Sequence, residues 1–259
     1  MRLSLVIFLV LLLVAGCAST KKIGKGTADE QYELARKLYE RGKYTDAEEA
    51  FRLLVFNHSG VSYIDSVQYF LGMCYFDDEY YILAVSEFRR LVKNFPHSTL
   101  ADDGQLMIGK SYYLSAPGNV GLDQSDTYTA VTELENFIED YPQSPLIDEA
   151  TSLLRECKSK IAHKIYKSGE QYYKMGMKTA ARVYLEEVVT DFESPEWRGC
   201  ALYLLAKIDQ SEDKLEDSEA KLTNLLREFP HHKWERKAEN LLEDVRDDLG
   251  RSSSASSDL

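Results

Sequence analysis

Basic charge is scarce in this chain: 31 Lys and Arg stand against 43 Asp and Glu, a formal net charge of -12 over 259 residues. The first sixteen residues hold Arg2 and no acid, so without them the balance is one unit more negative. Neutralising a phosphate backbone needs a basic face, which excludes nucleic acid as the expected partner. Proline is rare, with six copies, and glycine modest, with 14, so the chain has few helix breakers. Cysteine is rarer still. Beyond Cys17 there are only Cys74, Cys157 and Cys200, an odd number on separate apolar segments, which is no disulfide framework. They read as core fillers, although a bridge between two of them stays open in an oxidising compartment. No glycine-rich phosphate loop, HExxH zinc pair or GxSxG nucleophile turn occurs. Of the five histidines, His58 and His97 stand beside serines at expected helix ends, and the adjacent His231 and His232 face different ways. The expectation is therefore a non-enzyme without cofactor or metal.

The one long apolar run, Leu3 to Val14, follows Arg2 and is too short to span a bilayer but right for a signal-peptide core. It ends in Val14-Ala15-Gly16-Cys17. That tetrapeptide resembles a bacterial lipobox, which implies removal of residues 1–16 and acylation of Cys17, with palmitate among the chains. Several chains anchor stably where one is marginal, each buried methylene contributing about 0.8 kcal/mol. Ala18 rather than Asp after the cysteine resembles the outer-membrane sorting pattern of enteric lipoproteins. Residues 17–27 are then the lipidated cysteine and a short tether.

The remainder holds 17 tyrosines and 44% hydrophobic residues, enough for a core. From Asp65 to Ser98, Leu71-Gly72, Tyr75, Ala84, Phe88 and Pro96 follow one another at spacings that resemble a tetratricopeptide repeat. Two antiparallel helices are implied, with small residues where they cross. A step of 37 residues back finds Leu34-Ala35, Leu38, Gly42, Ala47, Phe51 and Leu54, a first repeat starting near Ala28. The same step forward finds Ile108-Gly109 and Tyr112. The second helix of this third repeat is delayed by the loop Ser115 to Asp126, where Pro117-Gly118-Asn119 is turn chemistry and Asp126 a candidate N-cap before Ala130, Leu134 and Phe137. Leu146 to Met175 lacks proline and carries Ile147, Ala150, Leu154, Cys157, Ile161 and Ile165 at helical spacing, one long central helix of roughly thirty residues. Gly169, Tyr172, Gly176, Ala181, Leu185 and Val188 mark repeat four; Leu205-Ala206, Ser218, Leu222, Leu225 and Pro230 mark repeat five. Trp234 to Leu249, with Ala238, Leu241, Leu242 and Val245 on one face, is a capping helix. The expected fold is an all-α solenoid of five repeats: repeats one to three in 28–144, then the long helix, repeats four and five and the cap in 145–249. Residues 250–259 have nothing to bury and read as disordered.

Each first helix carries two residues seven apart, two helical turns, on the face that lines the concave side of such repeats. The pairs are Tyr32 and Tyr39, Tyr69 and Phe76, Leu106 and Tyr113, Tyr166 and Tyr173, Tyr203 and Gln210, so eight of ten positions are aromatic where an exposed face would be polar. Arg36, Met73, Lys110, Glu170 and Lys207 lie between them. Aromatic contact area with interspersed cations suits an extended peptide. Tyr32, Arg36, Tyr39, Tyr69, Met73, Phe76, Leu106, Lys110 and Tyr113 form the expected peptide groove.

The order of these parts, with Asn94-Phe95-Pro96-His97-Ser98, Asp140-Tyr141-Pro142-Gln143-Ser144 and Gln171-Tyr172-Tyr173, resembles the BamD family, the outer-membrane lipoprotein of the β-barrel assembly machinery. The resemblance covers Cys17 to about Leu249. It implies a non-catalytic scaffold on the periplasmic face of the outer membrane, whose N-terminal repeats receive unfolded barrel clients. Its C-terminal repeats would dock on the periplasmic domains of the barrel insertase, through Tyr166, Tyr173, Arg182, Tyr184, Tyr203 and Lys207. Where some family members carry a docking arginine this chain has Tyr184, with Arg182 two residues earlier. A pilotin-like lipoprotein that escorts a secretin, and a glycan-binding lipoprotein, are the alternative readings.

Overall fold

A computed structural model describes residues 23–257, so Cys17, the signal segment and most of the tether lie outside the described residues. All eleven elements among the described residues are α-helices. They form two compact units that divide after Leu100.

In the first unit α1 (Ala28–Glu40) pairs with α2 (Tyr44–Asn57), and α3 (Ile64–Asp77) with α4 (Tyr81–Asn94). Thr27 starts α1 with a capping box, its hydroxyl accepting from the Glu30 amide while the Glu30 carboxylate accepts from the Thr27 amide. The seam inside each pair is built from one small and one large residue. A Cβ on Gly72 would lie 2.6 Å from the Phe88 ring, so only glycine lets that fully buried ring reach the α3 backbone. Ala35 and Phe51 are both buried in the first repeat.

The second unit holds α5 (Ala101–Ser115), α6 (Ser125–Asp140), α7 (Ile147–Lys174), α8 (Lys178–Asp191), α9 (Pro195–Ser211), α10 (Leu215–Glu228) and α11 (Glu235–Ser257). The same seam recurs: a Cβ on Gly109 would lie 2.8 Å from Leu134, and one on Gly169 2.9 Å from Leu185. Helix α7 is 28 residues long and belongs to two repeats at once. It packs on α5 and α6, and also on α8 and α9. This continuous helix joins repeats three and four within the second unit.

Four of the turns within repeats are identical in backbone terms. The central residue is left-handed at Gly42, Glu79, Gly176 and Asp213, with φ of 69°, 62°, 76° and 61°. In each the amide three places beyond the helix returns to a carbonyl near its end, as Lys43 to Leu38 and Tyr80 to Tyr75, satisfying otherwise orphaned acceptors. Glu79 and Asp213 hold without glycine a conformation that costs a side chain about 1 kcal/mol.

Two expectations are corrected here. Asp126 is not the N-cap of α6; it lies in the first turn, after Gln124, and its carboxylate accepts from the Ser115 hydroxyl at 2.7 Å. The last helix does not stop at Leu249 but continues to Ser257. Gly250 costs a helix only about 1 kcal/mol, and no proline follows it to end the hydrogen-bond ladder.

Candidate functional site

In the first unit, Phe70 is the hub of the aromatic face, and sequence spacing gave no sign of it because it sits beside the repeat-defining positions. The rings of Tyr39, Tyr69 and Phe51 lie 5.5, 5.5 and 5.9 Å from that of Phe70, and the Arg36 guanidinium lies 4.0 Å above it. Tyr32 packs on Tyr63 at 4.8 Å, and Tyr39 donates its hydroxyl proton to Asp77. Burial, then the bond to Asp77, raises the Tyr39 phenol far above its ordinary range, so it remains a donor. Tyr32 and Tyr39 thus hold α1 to α3 as much as they present a surface. Arg36 is loosely engaged, its bonds to Tyr32 and Glu40 being 3.4 and 3.5 Å long and its Nε without an acceptor among the described residues. Tyr69 and Phe76 lean on the partner helix, at 5.8 Å from Phe88 and 5.5 Å from Tyr81, and Met73 between them is half-buried.

The third-repeat members of the expected groove are taken up by the packing of the second unit. Leu106 is buried among Ala130, Leu134 and Phe137, so it is core and not a groove wall. Lys110 is paired to Glu149 of α7 at 2.6 Å. Tyr113 lies under the Lys160 ammonium at 5.2 Å, and burial beside Glu156 raises its phenol. Lys110 and Tyr113 thus both meet residues of α7.

The expected docking residues also separate. Tyr166 is 4% exposed and packs 5.5 Å from Trp197. Arg182 is committed internally, 2.8 Å from Asp209 and 2.9 Å from Glu212. Tyr184 stacks on Tyr172 at 5.3 Å. Tyr173, Tyr203 and Lys207, by contrast, come together in one recess of about 570 Å³ between α7, α9 and α11. Two residues not foreseen from sequence complete it, Trp234 at 4.5 Å from Tyr203 and Lys237 at 4.5 Å above Trp234. They escaped notice because the cap is not a repeat, so no repeat register points to them.

The motifs shared by the proline-containing stretches have a structural role. Ser98 donates to Asp65 at 2.6 Å and Ser144 to Asp102 at 2.7 Å, and each serine oxygen also accepts an amide two residues on. Each link ties the end of a repeat back to its own first helix. Buried glutamines repeat likewise: Gln68 donates to Glu87 and Gln105 to Glu133. Cys74, Cys157 and Cys200 are buried and unbridged, and burial pushes the thiols of Cys157 and Cys200 up to about 12 and 11, which keeps them protonated and inert. Among the described residues no group of three or more His, Cys, Asp or Glu is placed to hold a metal.

Helix pairs closed by a small residue against a large one, with aromatic first-helix faces, define a tetratricopeptide-repeat interaction scaffold. A tetratricopeptide-repeat protein of Bacteroides fragilis NCTC 9343 superposes with a TM-score of 0.50 at 13% identity, covering 86% of this chain and 99% of that one. At that identity the likeness speaks to the fold alone. The TPR2AB domain of yeast Sti1, solved in a complex with pHSP90, gives 0.47 at 12% identity over 88% of this chain and 86% of that one. No individual curated protein matches the sequence significantly. The chain belongs to the YfiO family of outer membrane lipoproteins, whose family model matches residues 25–211. Among the described residues no helix is long and apolar enough to cross a membrane.

Proposed function

We propose that the protein is a lipid-anchored scaffold of the outer-membrane β-barrel assembly machinery, held through Cys17 on the periplasmic face, binding unfolded barrel clients and the periplasmic domains of the barrel insertase. The observation that carries this reading is the aromatic face of α1 and α3, on a chain of the YfiO lipoprotein family. Tyr69, Met73 and Phe76, with the loosely held Arg36, offer apolar area and a guanidinium to an extended client segment. Such chemistry suits binding without turnover. Lipidation would keep the scaffold where barrels are inserted.

A pull-down from detergent-solubilised envelopes tests the partner. Recovery of the barrel insertase is expected. Recovery of a secretin in its place would make the protein a pilotin, and recovery of glycan alone would make the aromatic face a sugar platform.

A further inference from the structure

We propose that the recess between α7, α9 and α11 docks an acidic, aromatic-bearing segment of a partner protein. Its carboxylates would meet Lys207 and Lys237, and its ring would lie against Tyr173, Tyr203 and Trp234. The proposal deepens the scaffold reading and rests on it.

The electrostatics of the recess run against those of the chain. The protein carries a net charge of -12, and its lysines commonly sit against acids: Lys110, Lys158, Lys221 and Lys233 each lie within 2.7 Å of a carboxylate oxygen. Lys207 and Lys237 do otherwise. The Lys207 ammonium lies 5.7 Å from the Tyr173 ring and 6.0 Å from the Tyr203 ring, and that of Lys237 4.5 Å from Trp234. A cation over a ring face keeps N–H groups free on its other side, ready for a charge-assisted bond.

The acids on the wall do not cancel these cations. Burial pushes the Glu170 carboxyl up, but the bonds and charges of Lys174 and Lys167, at 2.9 and 3.3 Å, outweigh it and hold the group ionised and neutralised. Asp244 stands at the exposed rim. What faces the opening is two ammonium groups on an aromatic floor, and Trp and Tyr are the side chains that most often anchor protein interfaces. A recess of about 570 Å³ admits a side chain or two. The site lies on first helices and the cap, apart from Arg182 on α8.

Calorimetry on the full-length lipoprotein in detergent, with a capped peptide alternating Glu and Phe, tests this. The peptide should bind, and versions with Gln or Lys in place of Glu should bind at least about tenfold more weakly. Lys207→Glu with Lys237→Glu should cost a similar factor, while Lys207→Arg with Lys237→Arg should stay within about threefold, both with unchanged circular dichroism. In a Trp197→Phe background, the remaining Trp234 fluorescence should shift on binding. Equal affinity for the Gln peptide, indifference to charge reversal, or no binding at all would overturn the proposal. So would lysine-dependent capture of phosphatidylglycerol vesicles without peptide binding, which would make the recess a lipid site. None of these outcomes depends on which envelope complex the protein joins, so failure here is distinguishable from failure of the assembly role.

Discussion

Phe88→Ala is expected to destabilise the first unit by about 3–5 kcal/mol, a large part of the stability of a small domain. The ring is fully buried and lies against the α3 backbone at Gly72, so its removal costs both the transfer free energy and a cavity with rigid walls. The diagnostic is the coupling with Gly72. Alone, Gly72→Ala drives a methyl to within 2.6 Å of the ring and should cost about 1–3 kcal/mol, less the gain of about 1 kcal/mol from replacing a helical glycine. With Phe88→Ala already made, the methyl meets empty space and the substitution should become neutral or stabilising. Urea unfolding of the four proteins checks the cycle. Costs that add to within about 0.5 kcal/mol would mean that the close approach at Gly72 is not what the ring requires.

The second large effect is expected at Asp209, which lies buried in α9. One carboxylate oxygen is 2.8 Å from Arg182 of α8 and the other 2.7 Å from Lys221 of α10. Neither oxygen has a further hydrogen-bond donor among the described residues, so the two cations are its whole compensation. Asp209→Ala leaves Lys221 without its acid and Arg182 with Glu212 as its remaining close carboxylate, and should cost about 3 kcal/mol. The lower end of the range applies because both partners are partly exposed and can turn to water. Replacing all three residues by Leu and Met should restore much of the loss, since the desolvation penalty disappears along with the attraction. A cost below about 1 kcal/mol for Asp209→Ala would show that the cluster does not hold the three helices together.

These two sites differ in how visible they are from sequence. Gly72 and Phe88 are legible because a repeat must place a small residue opposite a large one at fixed spacing, and the same pairing recurs at Gly109 with Leu134 and Gly169 with Leu185. The cluster at Asp209 breaks no apolar pattern. It looks like one more charge in an acidic chain until the fold brings α8 and α10 to either side of it.

The candidate site divides the same way. Periodicity tells which residues share a helix face but not what covers that face. Leu106, Lys110, Tyr113 and Tyr166 have the spacing of an open groove, yet Leu106 is buried in the core, Lys110 and Tyr113 meet Glu149 and Lys160 of α7, and Trp197 packs on Tyr166. Tyr173, Tyr203 and Lys207 were placed by spacing and do converge. Trp234 and Lys237 join them from a helix outside the repeat register. Phe70 was hidden by its neighbours, since Tyr69 and Leu71 account for the pattern on either side.

The central claim is that this lipoprotein serves β-barrel assembly, and depletion of the protein tests it most directly. Quantifying outer-membrane barrel proteins in envelopes as the protein is withdrawn should show a broad fall in folded barrels, with unfolded precursors accumulating in the periplasm. Barrel levels that stay intact after complete depletion would contradict the assignment.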